Sequence, residues 1–175
     1  GAIENAHSTA ASFHSASLLD ACTWKRYVPG GRFKKTYVPC DEVVADCVPV
    51  ALVGERDVGM VHSGWRGTLS GVSGKAARSL GGDLVQAYIG PSIRRCCYEV
   101  SAELASEFAA EFGDEVVSGR HLSLQDSIRV DLESAGVGVN DLGLCSGCRP
   151  DLFYSHRKQG PLTGRNLASV VREAR

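Results

Sequence analysis

The chain is poor in the residues that announce specialised classes. It has 5 histidines, 1 methionine and 2 tryptophans among 175 residues. No apolar run approaches the roughly 18 residues a membrane-crossing helix needs, so no transmembrane segment is expected. The opening stretch GAIENAHSTAASFHSASLL has no basic region followed by an apolar core, so no secretory signal is expected. Charge of one sign is also missing. With 19 Lys+Arg against 20 Asp+Glu the formal charge is -1, which argues against a nucleic-acid partner or an acidic arm and leaves a small molecule as the expected partner. Neither GxGxxG nor a P-loop occurs, so a dinucleotide or ATP site is not expected. No repeat or low-complexity linker interrupts residues 1–175, a length that suits one domain with its own core.

Cysteine, in contrast, is plentiful. Seven of them (Cys22, Cys40, Cys47, Cys96, Cys97, Cys145, Cys148) form an odd set that fits reduced cytoplasmic thiols or metal ligands better than a disulfide framework. The first 40 residues show a VPGGRFKK turn at 28–35 and no clear period. From Glu42 onward, EVVADCVPVALVG predicts a buried strand or strand pair interrupted at Pro49, and RDVGMVHSG the next strand, paired as a hairpin across GERD. GTLSGVSGKAARSLGG predicts one helix closed by Gly81-Gly82, and LVQAYIGP a strand. SAELASEFAAEFG has the cleanest helical period, with Ser101 as cap, Leu104, Phe108 and Phe112 on one face and Gly113 as terminator. HLSLQDSIRVDLESAGV predicts a helix with Leu122, Ile128 and Leu132 facing the core. DLGLCSGCRPDLFYSHRKQGPLTGR predicts a strand and a loop, and NLASVVREAR a last helix. The expected fold class is α+β, with a mixed, sandwich-like β-sheet core flanked by helices.

The stretch MVHSGWRGT at 60–68 ends a strand in His62 and turns through Gly-Trp-Arg-Gly. Cys47 precedes His62 in ADCVPV, at the expected centre of the preceding strand. A hairpin would bring thiol and imidazole together, as a nucleophile and its base or as two ligands of a zinc ion. As a bland alternative, both are core residues. Arg66 follows beside glycines that let backbone approach a ligand, and its guanidinium suits phosphate or carboxylate. Trp65 can stack on a base or plug the core.

ADCVPV at 45–50, VHSGWRGT at 61–68, IGPSIRRCCYEV at 89–100, HLSLQDSIRVDLESAGV at 121–137 and CSGCRPDLFYSHRKQGPLTGR at 145–165, taken in order, resemble the YfiH-like laccase-domain family. The resemblance covers roughly residues 43–170. It implies a zinc-dependent purine nucleoside phosphorylase with adenosine deaminase activity, acting on a nucleoside and phosphate. It implies metal ligands at Cys47, His62 and a histidine near the N-terminus, for which His14 in Phe13-His14-Ser15-Ala16 is the nearest match and His7 a rival. Three N/S ligands leave a fourth position open, as in catalytic zinc sites. Arg66 and Arg157 then become candidates to hold phosphate or transition-state charge, Tyr98 and Trp65 to line the nucleoside pocket, and Asp46 to orient a ligand or act as a base. The chain departs from the family pattern in its N-terminal stretch of about 40 residues, which is divergent or shortened against that pattern and lacks its Arg-Gly-Gly segment, and at Ser123, Ile128 and the Ser155-His156-Arg157 motif.

The family's older name, multicopper polyphenol oxidase, suggests copper. Such enzymes need on the order of ten histidines, and 5 are present. Cys145-Ser-Gly-Cys148 reads as a loop feature, because no second CxxC exists and Cys96-Cys97 has the wrong spacing to complete a site. His121, expected to begin a helix, and His156, in a loop, read as surface or capping groups. Two rival functions remain: a metal-free Cys47/His62 hydrolase or deamidase, and a non-catalytic member that binds a nucleotide-like ligand or a protein.

Overall fold

The structure, a computed structural model, describes residues 9–16, 40–54, 58–80 and 84–172. The turn at 28–35, the Gly81-Gly82 stop, His7 and Cys22 lie outside the described residues.

Among the described residues, nine strands and five α-helices follow in the order β1 Thr9–Ala16, β2 Cys40–Val44, β3 Val48–Gly54, β4 Val58–Ser63, α1 Trp65–Leu69, α2 Val72–Ser79, β5 Leu84–Ile89, α3 Ala102–Phe112, β6 Val117–Ser118, β7 His121–Leu122, α4 Leu124–Ser134, β8 Gly138–Asp141, α5 His156–Gln159 and β9 Arg165–Arg172. They build an α+β fold around two principal sheets. One is antiparallel with strand order β1-β9-β2; the other is mixed, β4-β3-β5-β8, with only β5 and β8 parallel. β6 and β7 make a small hairpin.

The centre of the second sheet explains why VPVALV reads as an unbroken apolar run: β3 is covered on both faces. Val48, Val50 and Leu52 join Val61, Ala87 and Ile89 in a core closed by Ala77 of α2, Phe108 and Phe112 of α3, and Ile128 and Leu132 of α4. On the other side, β2 and β9 pack beside β3 and β4, and Val44, Pro49 and Ala168 line one small cavity between them.

α3 forms as its period predicts. Ser101 accepts a hydrogen bond from the Leu104 amide at 3.2 Å, and Gly113 ends the helix at φ 99. Four expectations need correction. The break in the EVVADCVPVALVG segment falls at the 45–47 bend, and Pro49 lies inside β3. The single helix from Gly67 to Gly82 is two, because Gly71 takes φ 66, a left-handed value that ends one helix and starts the next. His121 begins no helix: it sits in β7, and α4 starts after Ser123, whose hydroxyl accepts from the Asp126 amide at 3.2 Å. The expected last helix is the central strand of the first sheet. Its buried residues, Asn166, Ala168 and Val170, recur every second position, and it pairs with β1 and β2 on its two edges. Among the described residues, no helix is long and apolar enough to cross a membrane.

Candidate active site and a second cysteine cluster

β2 ends at Val44, and the chain bends through residues 45–47 before β3 begins. Asp46 adopts φ 86 there, a left-handed conformation to which Asp is better suited than most residues. Cys47 therefore lies at the junction of the two sheets rather than at the centre of a strand. His62, one residue from the end of β4, is opposite Pro49 in the ladder. The side chains of Cys47 and His62 lie within interacting range of each other. Glu42 Oε2 lies 3.3 Å from His62 Nδ1, with the Glu42 side chain only 12% exposed. These two partners, Cys47 first and Glu42 second, outweigh the opposing effect of burial and raise the His62 pKa from 6.5 to about 10. The glycine of HSGW leaves the thiol its space, since a Cβ on Gly64 would stand 3.0 Å from Cys47 Sγ.

Asp46 joins this pair to the rest of the site. Its Oδ1 accepts from Ser146 Oγ at 2.7 Å, its Oδ2 accepts from the Arg157 amide at 2.7 Å, and its carbonyl accepts from the Ile93 amide at 3.0 Å. Three distant segments thus meet at one buried residue. Beyond it opens a cleft of about 520 Å³ walled by Trp65, Tyr98, Leu104, Arg120 and Arg157. Arg157 Nη1 donates to the Glu99 carbonyl at 2.7 Å, and its guanidinium carbon stands 5.1 Å from the centre of the Tyr98 ring. Burial raises the Tyr98 pKa; Arg157 opposes it, and the nearby Cys47 and Asp46 charges add to it.

The residues singled out from sequence therefore fall into several groups. Cys47 and His62 are in contact. Trp65, Tyr98 and Arg157 share the cleft wall, while Asp46 braces Arg157 through its backbone. Arg66 is exposed and stacks 4.1 Å above the Trp65 ring. His14 lies in β1 opposite Leu167, which is opposite Val43 of β2; the row containing Glu42 runs through Ala168 and Phe13. His121 and His156 are both exposed, His156 as the first residue of α5 rather than in a loop. Glu42 was missed from sequence. A signal existed, since in a strand Glu42 shares a face with buried Val44, an unusual place for a carboxylate without a partner.

The cysteines need a larger correction. Cys96 and Cys97, expected to be wrongly spaced, meet Cys145 and Cys148: the four sulfurs all lie within 4.8 Å of one another. Spacing along the chain was the wrong test, because Ser92 and Cys145 form a parallel bridge that lays the two segments side by side.

Two sheets packed against each other, with a thiol and an imidazole at their junction near an aromatic and arginine cleft, define a class. The chain belongs to the multi-copper polyphenol oxidoreductase laccase family, whose model matches residues 7–173. It is 31% identical over 147 residues to purine nucleoside phosphorylase YlmD of Geobacillus stearothermophilus, covering 73% of this chain and 54% of that protein. It is 34% identical to adenosine deaminase RL5 from an unknown prokaryotic organism, covering 74% and 56%, and 30% identical to mouse purine nucleoside phosphorylase LACC1, covering 72% and 34%. The crystal structure of Geobacillus YlmD superposes with a TM-score of 0.69 at 31% identity, over 78% of this chain and 58% of that one. The chain spans about half the length of the bacterial relatives it matches.

Proposed function

We propose that this chain is a metal-dependent enzyme of purine nucleoside metabolism, which cleaves adenosine or inosine with phosphate to the free base and ribose 1-phosphate and also deaminates adenosine. The observation that carries the reading is the interacting Cys47–His62 pair near a cleft walled by Tyr98, Trp65 and Arg157. The names of the relatives, purine nucleoside phosphorylase and adenosine deaminase, support it.

The donor set fits zinc. Cys47 offers sulfur and His62 a ring nitrogen, and Glu42 already occupies Nδ1, leaving Nε2 for the metal in the manner of carboxylate-braced zinc histidines. By the family resemblance His14 would be the third ligand, although its row in the first sheet, with Leu167 and Val43, is not the row of Glu42. Bound there, zinc would polarise a substrate oxygen or lower the pKa of a water. The protein groups supply the rest. Tyr98 and Trp65 offer flat faces to a purine, and Arg157, with exposed Arg66, offers donors to phosphate. In phosphorolysis a phosphate oxygen bonds to the anomeric carbon as the glycosidic bond breaks and the base leaves with a proton. With both carboxylate oxygens engaged, Asp46 acts by positioning Arg157. Cys47, Cys96, Cys97, Cys145 and Cys148 are not joined in disulfides, which suits a reducing cytoplasm.

The test is base release from adenosine and inosine by metal-replete protein, with and without phosphate. Release that needs phosphate and is lost in His62→Ala and Cys47→Ala is expected. Folded protein that binds nucleoside without turnover overturns the catalytic reading.

One arrangement favours a second reading. Cys47, His62 and Glu42 also form a nucleophile, base and orienting carboxylate. A metal-free hydrolase of this kind loses activity when Cys47 is alkylated and is indifferent to chelators; the metal enzyme is not.

A further inference from the structure

The second cysteine cluster has no part in the nucleoside cleft, yet its geometry is demanding. Cys96 and Cys97 lie in a turn closed by hydrogen bonds from the Cys97 and Tyr98 amides to the Arg94 carbonyl at 2.8 and 2.9 Å. Cys145 and Cys148 lie in a second turn, where the Cys148 amide donates to the Cys145 carbonyl at 3.3 Å. The turns are laced together by Ser92 N to Leu144 O at 3.3 Å and Ser146 N to Ser92 O at 3.0 Å. Four sulfurs thereby converge from two backbone segments. Gly147 makes room for them: a Cβ there would stand 3.0 Å from Cys97 Cβ and 3.1 Å from its Sγ.

The sulfur separations fit a metal ion better than a disulfide. Cys96–Cys145 is 3.6 Å, and Cys96–Cys148 and Cys97–Cys148 are each 3.4 Å. A disulfide needs about 2.05 Å. Four thiolates about 2.3 Å from a tetrahedral zinc stand about 3.8 Å apart, close to the observed edges. Soft sulfur donors without an imidazole or carboxylate select zinc over hard cations.

We propose that Cys96, Cys97, Cys145 and Cys148 bind a zinc ion in a closed tetrathiolate site, distinct from the Cys47–His62 pair, and that this ion ties the two walls of the cleft together. One wall is the 94–100 segment that carries Tyr98 directly after the cysteine pair. The other is the 145–157 segment, where Ser146 holds Asp46 and Asp46 holds Arg157. Binding forms four Zn–S bonds and releases the thiol protons to solvent.

The test uses the full chain carrying Cys47→Ala and His62→Ala, which removes the other metal pair, purified under reducing conditions. About one zinc per chain is expected, with four sulfur neighbours at about 2.3 Å by X-ray absorption at the zinc edge. Adding Cys148→Ser is expected to remove that zinc. Exposed Cys96 and Cys148 are expected to resist alkylation until a chelator is added, a measurement that needs no variant. Folded double-variant protein without zinc, zinc with fewer than four sulfur neighbours, iron in its place, or a disulfide within the cluster would each overturn the proposal. Metal content and sulfur count are read without turnover, so failure of the phosphorolysis assay leaves this result standing.

Discussion

Asp46 is the residue at which the structure can be tested most quantitatively. It is 9% exposed, and its carboxylate accepts from Ser146 Oγ and the Arg157 amide, each at 2.7 Å. Hydrogen bonds to a charged group contribute about 1.5–3 kcal/mol each, so Asp46→Ala is expected to cost about 3–6 kcal/mol. Alanine also tolerates φ 86 less well than aspartate. Asp46→Asn behaves differently. Its amide oxygen can accept from the Arg157 amide while its NH₂ donates to Ser146 Oγ, whose hydroxyl can rotate to accept. Two neutral hydrogen bonds then replace two charged ones, a loss of about 2 kcal/mol. Denaturant unfolding of the three proteins, with the m-value checked for constancy, measures these differences. An alanine variant within about 1 kcal/mol of the parent, or equal losses for the two substitutions, would refute the reasoning.

Other parts of the fold support three further predictions. Half-buried Asp141 has a lowered pKa although desolvation opposes it, because Arg94 donates to its two oxygens at 2.8 and 2.7 Å and the Gly143 amide donates as well. A depressed carboxylate stabilises the fold above its unfolded pKa of about 3.9 and loses that contribution as pH falls through its folded value; the stability difference between the parent and Asp141→Asn should therefore shrink as the solution is acidified below that range. Glu42→Gln removes the second of the two partners that hold His62 at a pKa near 10; NMR titration of metal-free protein is expected to find it lowered yet still above 6.5, since Cys47 remains, and an unchanged value would mean that Glu42 has no hold on the imidazole. Gly74→Ala drives a Cβ to 2.3 Å from Asp131 Oδ1 and strains the 2.7 Å bond from the Gly74 amide to that carboxylate. A loss of about 1–3 kcal/mol in unfolding free energy is expected.

What could be read from sequence divides along local and long-range lines. α3 was legible because Ser101, the Leu104, Phe108 and Phe112 spacing and Gly113 are all local signals. The β3–β4 hairpin was legible for the same reason, and with it the meeting of Cys47 and His62. β9 was not. Asn-Leu-Ala-Ser-Val-Val-Arg suits either period over so few residues, and its strand state comes from pairing with β1 and β2, both far earlier in the chain. Glu42 failed for a related reason, since its contact with His62 crosses from one sheet to the other. The cysteine cluster hinged on a single parallel bridge between Ser92 and Cys145, which no count of intervening residues reveals.

The central claim is that the Cys47–His62 pair and the cleft beside it process purine nucleosides. Chromatography of the products formed from adenosine by metal-replete protein, with and without phosphate, tests it most directly. Adenine and ribose 1-phosphate are expected only when phosphate is present and inosine in either case, with both routes lost in His62→Ala. Folded, metal-replete protein that leaves adenosine intact under both conditions would contradict it.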